Sequence, residues 1–335
     1  MKTRNRDKIQ PLRLGSVTSK HLIVPVSLLI LLLLVALFRG PKLFSTEGLA
    51  GAIIVSAPLI LATLALTPIA LVGRGGVDLA IGPLIAFINV TLIRWLVGNG
   101  VSSPVAVFAY VVGVGATYQL IQGLIVVYVR VAPIIVSLSG FLALSGLNLV
   151  ILPRPSGVAP EWMSSWGAGR SIISPVFIVL LIGFVGWYLF SRTAFFAHLR
   201  LTGFDEKTAY TSGVHTDIVR LGAHIVGGIY AGLATLTYTA LIGSGDPTQG
   251  STYTLTAVTA LVLGGTSLVG GRGGGLESVL GAMNLYMISY VLATFSFGKV
   301  SGFVTQLSYG VILIVSLLIN VVLTSLKSGA GQEEK

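Results

Sequence analysis

The chain has 335 residues, a formal net charge of +10, no cysteine, and only 10% charged residues against 54% hydrophobic ones. Its mean hydropathy is +0.92, and soluble domains carry about 25% charged residues, so a water-soluble globule is excluded and lipid is the solvent this surface fits. The lack of cysteine rules out disulfides, a thiolate nucleophile and thiolate metal sites; the four histidines (His21, His198, His215, His224) have no metal-ligand spacing, so no metal site is expected.

In chain order, residues 1–21 carry Lys2, Arg4, Arg6, Lys8, Arg13 and Lys20, and an apolar run from Leu22 to Phe38 follows. That run ends in Phe38-Arg39-Gly40-Pro41 without a small-x-small cleavage site, so it reads as an uncleaved first span. Further apolar runs cover about 46–72, 79–97, 104–129, 133–152, 174–191, 218–243, 252–268, 276–295 and 303–326, giving about ten crossings. Ser103-Pro104 and Ser174-Pro175 each supply an N-cap followed by proline at the first helical position, and Pro133 opens another span. Asp78 precedes Leu79 as an N-cap, and Glu277 after its glycine turn reads the same way. The 252–268 run is short and rich in Thr and Gly, which predicts a broken or re-entrant helix.

Ten crossings put both termini on one side. With the N-terminus cytoplasmic, fifteen of the 21 Lys and Arg residues fall inside and six outside (Arg39, Lys42, Arg94, Arg154, Arg170 and Lys299), which supports cytoplasmic termini and explains the basic balance without any nucleic-acid partner. Two loops stand out. The outer one, about 153–173, holds Pro153, Pro155, Pro160, Trp162 and Trp166, and the two tryptophans suit an interfacial aromatic belt. The inner one, about 192–217, has the densest internal charge. No GxxxxGK[ST] phosphate loop exists in the chain, so it cannot hydrolyse ATP by itself.

Within the inner loop, Asp205 to Ser212 predicts a two-turn helix with acids in its first turn and Gly213 as its C-cap. A short capped helix between two spans suits docking, and equally an ordinary interfacial loop. Val72-Gly73-Arg74-Gly75-Gly76-Val77 and Gly270-Gly271-Arg272-Gly273-Gly274-Gly275-Leu276 form a faint internal echo, as repeated transporter bundles would. Asn89, Gln119, Gln122, Asn148, Asn284, Tyr286 and Asn320 are polar within spans; singly each reads as a helix bridge, and together they suit an uncharged, hydroxyl-rich solute. Phe141, Asn148 and Asn284 are the candidate pathway residues.

Nearly the whole chain resembles, in order, the permease subunits of ATP-driven monosaccharide importers of the ribose/xylose type, within the branched-chain amino acid/ribose permease superfamily. The residues that carry this are Gly75-Gly76-Val77-Asp78-Leu79-Ala80-Ile81-Gly82, Val131-Ala132-Pro133-Ile134-Ile135-Val136-Ser137-Leu138, Gly203 to Val214, Pro247-Thr248-Gln249-Gly250, and Gly264-Gly265-Thr266-Ser267-Leu268-Val269-Gly270-Gly271. Departures are Phe204-Asp205 for Gly-Asn, Thr254 and Thr256 at acidic positions, and Ser139-Gly140-Phe141 for Gly-Thr-Met.

The resemblance implies an all-α polytopic fold with an inverted internal repeat: a cytoplasmic basic segment 1–21, a transmembrane permease domain 22–327 and a cytoplasmic tail 328–335, in the bacterial inner membrane. It makes 201–214 a coupling segment (Gly203, Phe204, Asp205, Glu206, Lys207, Ala209, Ser212, Gly213) seated on a separate cytoplasmic ATP-binding subunit, with ATP and magnesium on that partner and no cofactor in this chain. It also implies a periplasmic or extracellular substrate-binding protein, a second permease (identical or a paralogue) and surrounding lipid. Gly76, Asp78, Gly264, Gly265, Thr266, Ser267 and Gly271 are read as structural turn residues. The expected activity is transport of a sugar-like neutral solute, not catalysis. A nucleoside, a furanosyl autoinducer or a branched-chain amino acid are the alternatives, and a secondary transporter is a remote one, since no ion-coupling acid lies deep in a span.

Overall fold

The computed structural model describes residues 19–168, 171–295, 300, 302–312, 314–315 and 318. The expectations for residues 1–18, Arg170, Lys299, Asn320 and the 328–335 tail lie outside the described residues. Helix α1, Ser19–Arg39, leads through a short turn to α2, Thr46–Leu71, which Ser45 caps by accepting from Gly48 N at 3.0 Å. A glycine turn then gives α3, Ile81–Thr91, extended by π and 3₁₀ turns to Asn99. Helices α4 (Pro104–Leu124), α5 (Pro133–Ile151) and α7 (Pro175–Ser191) each begin at proline, with Ser103 and Ser174 accepting from the amides of Ala106 and Phe177 at 3.3 Å. Between α5 and α7 lies the short α6, Glu161–Ser164.

Beyond α7 the chain bends by 74° into α8, Ala194–Phe204. The 192–217 segment is therefore not a loop around a single helix. It is α8, then α9, Glu206–Thr211, and then the long α10, Thr216–Ile242. Helix α11 spans Tyr253–Leu263 and α12 spans Gly275–Ala293; residues 302–312 are again helical.

Seven of these helices are long and apolar enough to cross a membrane, and eight if the bent pair α7 and α8 counts as one span. The 11-residue α11 reaches about 16 Å at 1.5 Å per residue, half of the roughly 30 Å hydrocarbon core. The 252–268 run is thus a half-crossing, and the count of ten holds only approximately. The protein is a multi-pass, all-helical membrane protein.

The long helices α2 and α10 form the buried axis and run antiparallel, since the end of α2 and the start of α10 both lie beside α9. Helix α4 meets α10 backbone to backbone: a Cβ on Gly115 would come within 2.3 Å of the Gly228 carbonyl oxygen, and one on Gly232 within 2.5 Å of that of Val111. Each axis helix is followed by a turn with an aspartate that accepts from the amide two residues on, and then by a helix that starts partway through the bundle. These are Asp78 with Ala80 N at 2.8 Å before α3, and Asp246 with Thr248 N at 2.8 Å before α11. The two re-entrant starts interlock, Gly82 N donating to Thr254 Oγ1 and Thr254 Oγ1 to Leu79 O, both at 3.1 Å. The two turns, 72–80 and 243–252, are built alike at opposite ends of the bundle, as the expected inverted repeat would place them. The two Gly-Arg-Gly-Gly turns singled out in the sequence do not mark it: both lie at the α9 end and touch each other, a Cβ on Gly270 falling 2.6 Å from Gly73 Cα.

At the opposite end the 153–168 segment folds back on the turn after α10. Ser156 and Gly245 exchange backbone hydrogen bonds at 3.0 and 3.1 Å. Trp162 and Trp166 stack edge to face at 4.9 Å, and Trp162 Nε1 donates to Ser102 O at 2.7 Å. Both rings pack on the core.

Candidate functional site

Helix α9 is set by its caps. Asp205, with φ −154°, accepts from Thr208 N at 3.1 Å and from the Thr208 hydroxyl at 2.7 Å. These bonds hold its carboxyl below the usual carboxylate range. At the other end Gly213 takes φ +85°; Val214 N donates to Ala209 O and Gly213 N to Tyr210 O, each at 3.0 Å, which is a Schellman closure. Ala209 and Val214 enter a small apolar cluster with Leu71, Val72, Leu199, Val219 and Ala223. Phe204 and Tyr210 are left 68% and 71% exposed, too apolar for an unpartnered surface, and Lys207 and Ser212 are also exposed.

Two attachments fasten α9 to the bundle. The first is a junction of backbone. A Cβ on Gly203 would stand 1.8 Å from the Leu71 carbonyl oxygen and 2.7 Å from Gly271 N, so only glycine fits there. Gly271 N in turn donates to Leu71 O at 2.9 Å. The second is ionic. Glu206 receives a bidentate pair from Arg74 (Nε to Oε2 2.6 Å, Nη2 to Oε1 2.7 Å) and lies 2.8 Å from Arg220 Nη2. Arg220 is buried within α10, whereas Arg74 is largely exposed in the 72–80 turn at φ +57°.

The other turn residues gather round the same end. Gly76 packs on the Ile69 carbonyl oxygen and Gly264 on that of Glu277, where a Cβ would fall at 2.3 and 1.8 Å. Gly265 has φ +98°. Thr266 Oγ1 lies 3.4 Å from Ser278 Oγ, which also meets Thr67 Oγ1 of α2 at 2.7 Å. Ser267 N donates to Arg272 O at 3.0 Å, closing the turn. Glu277 sits in the first turn of α12, whose N-cap is Gly274, so it is not the cap expected.

Asp78 is not the N-cap of a helix starting at Leu79 either. The helix starts at Ile81 with Ala80 as N-cap, and Asp78 is buried. It accepts from Gln119 Nε2 and, at 3.2 Å, from Gln122 Nε2, tying the start of α3 to α4. Gln119 Oε1 meets His224 Nδ1 of α10 at 2.9 Å. The carboxyl group is satisfied by fixed dipoles, as a buried polar group has to be.

The three pathway candidates do not come together. Asn148 Nδ2 donates to Pro83 O at 3.1 Å, bridging α5 to α3. Asn284 Nδ2 donates to Pro25 O at 2.8 Å, bridging α12 to α1. Phe141 is half-buried on α5, about two helical turns before Asn148. In the sequence alone, Arg220 stands only among the basic residues of one side, and Arg74 also within a Gly-Arg-Gly-Gly turn. An arginine four residues before a histidine on one face of a span, Arg220 and His224, is the signal that could have marked a buried cation in need of a partner. Among the described residues no group of His, Asp and Glu could hold a metal ion. The site offers no nucleophile paired with a base; what its geometry can do is carry displacement from α9 into the bundle.

A family model described as branched-chain amino acid transport system / permease component matches residues 48–323. The ribose import permease protein of Escherichia coli is 28% identical over 312 residues, covering 90% of this chain and 95% of that protein. The D-allose transport system permease protein of Escherichia coli is 27% identical over 211 residues, 62% of this chain and 64% of that one. The autoinducer 2 import system permease protein of Salmonella choleraesuis is 28% identical over 276 residues, 78% and 77% respectively. No solved structure matches the chain.

Proposed function

The chain belongs to the branched-chain amino acid transport system / permease component family and is a transport component, not an enzyme; on that premise we propose that it is the membrane subunit of an ATP-driven importer of a neutral, sugar-like solute. The observation that carries this is the build of α9 and the end of α8 before it: a short helix capped at both ends, with Lys207 and Tyr210 of α9 and Phe204 of α8 presented outward, and Glu206 of α9 and Gly203 of α8 fastened inward. An ATPase subunit would seat against that outer face, holding ATP and magnesium itself, and its closure would drive the bundle between outward- and inward-open states. The excess of basic residues at the α9 end (Arg74, Arg130, Arg192, Arg200, Lys207, Arg220, Arg272 against Arg39, Lys42, Arg94 and Arg154) supports placing that end in the cytoplasm, with both termini. A substrate-binding protein would dock at the opposite end. Helix α5 supports pairing with a second permease: it is largely exposed and carries Ser139, Ala143 and Gly146 on its open side, small residues that suit close helix contact.

The sugar class is supported by relatives named for ribose import and D-allose transport. With its ATPase and binding protein in proteoliposomes, the chain should take up a radiolabelled pentose or hexose when ATP is supplied. Uptake of leucine in place of every monosaccharide tried would contradict the sugar reading and favour the amino acid branch of the family.

A further inference from the structure

One carboxylate, Glu206, sits between two guanidiniums drawn from different halves of the expected inverted repeat. Arg74 belongs to the turn that joins α2 to α3, and Arg220 to the first turns of α10. Arg220 is 3% exposed, and neither its Nε nor its Nη2 makes a hydrogen bond; Nη2 meets Glu206 at 2.8 Å as an ion pair, and Glu206 is the nearest counter-charge, ahead of Asp217. A buried cation cut off from its counter-charge is costly, which makes this contact hard to break during a working cycle. Arg74 grips both carboxylate oxygens, which fixes direction as well as distance. It does so from a left-handed backbone position, φ +57°, that a non-glycine residue adopts only when held there.

The contact continues inward. Four residues after Arg74, Asp78 takes hydrogen bonds from Gln119 and Gln122 of α4; Gln119 meets His224, one helical turn above Arg220 on α10. The side-chain links Glu206–Arg74, Asp78–Gln119, Gln119–His224 and Glu206–Arg220 are joined through backbone, by the 74–78 turn and by one turn of α10. Together they connect α9 to α3, α4 and α10.

We propose that Arg74 and Arg220 are positioning residues that clamp Glu206, so that α9 moves as one body with the inner ends of both repeats and a stroke on α9 reaches them together. This rests on the ATP-driven reading above. A loop hinged only at Gly203 and Gly213 would swing under load; the clamp turns it into a lever.

The test uses the full complex of permease, ATPase and binding protein in proteoliposomes, with ATP hydrolysis and solute uptake read in the same sample. Glu206→Gln should leave hydrolysis running and lower uptake per ATP at least tenfold, and Glu206→Asp, which keeps the charge, should recover part of it. A merely structural role would lower both rates together and leave their ratio alone. Because the chain has no cysteine, spin labels can be placed uniquely at Thr211→Cys on α9 and Val269→Cys on the glycine turn beside it, both exposed. Their distance distribution should be narrow and the same with and without ATP, and should broaden when Glu206→Gln is added. An unchanged ratio in Glu206→Gln, or a 211–269 distance that shifts with ATP in the otherwise unaltered chain, overturns the clamp. If Glu206→Gln does not assemble, the labelled chain alone decides between these outcomes. A wild-type complex that fails to take up solute with ATP would break the importer reading instead.

Discussion

The turns around Asp78 and Asp246 are the same device at two inverted positions, used differently. Asp246 spends its Oδ1 locally, on Thr248 N, Thr248 Oγ1 and Gln249 N, and leaves the joining of helices to Asn89, which reaches Thr239, Ser244 O and Asp246 N. Asp78 spends one bond on its own turn and the rest on α4. The Asp246 turn is a closed local knot held to its neighbours by an amide. The Asp78 turn is itself the joint, and beside it lie the glycine junction and the Glu206 ion pairs. On the function proposed above, that added chemistry would make the α9 end the one that receives force.

Substitutions can break that contrast, and the severest is at the junction. Gly203→Val would drive a side chain into the Leu71 carbonyl oxygen, a clash with backbone that no rotamer relieves, beyond the usual overpacking cost of about 1–3 kcal/mol. Detergent-solubilised protein should show no cooperative melting, whereas Gly51→Ala, with open space around it, should melt as the wild type does or slightly higher. Next in size, Asp78→Ala strands the buried amides of Gln119 and Gln122, at about 1–3 kcal/mol for each unsatisfied group. Asp246→Ala loses only contacts within its own turn and should shift the melting temperature less. Equal shifts would remove the distinction between joint and knot.

Smaller effects sharpen the picture of α9. Gly213→Val forces a β-branched residue into φ +85°, at about 1–2 kcal/mol; uptake should fall while the global melting temperature stays close to wild type. Normal uptake would count against α9 as the driven element. The least effect is that of pH. Hydrogen bonds from Thr208 depress the Asp205 carboxyl, so its capping contribution is fully present above the free carboxylate pKa of about 3.9 and is lost as pH falls through the lower folded value. Protection of the Thr208 amide from hydrogen exchange should stay flat down to that range and drop below it.

What the sequence showed of the fold is what short-range chemistry determines. Ser103-Pro104, Ser174-Pro175 and Pro133 place helix starts because cap and proline act within one turn. Asp205 and Gly213 mark α9 for the same reason. The rest depends on partners far along the chain. Arg74 and Glu206 are 132 residues apart, and nothing local distinguishes a basic residue that orients the chain from one that clamps a helix. Helix α8 is not legible in the sequence because His198 and Arg200 interrupt its apolar run. The role of the asparagines is not legible in the sequence, because an amide in a span looks the same whether it faces a solute or, as Asn284 Nδ2 does, a backbone carbonyl on α1.

The central claim is that this chain converts work done elsewhere. The most direct measurement reconstitutes it in two ways: alone, under proton or sodium gradients, and together with its ATPase and binding protein, with ATP. The account predicts solute uptake only in the second preparation, and only while ATP is hydrolysed. Robust gradient-driven uptake by the chain alone would contradict it.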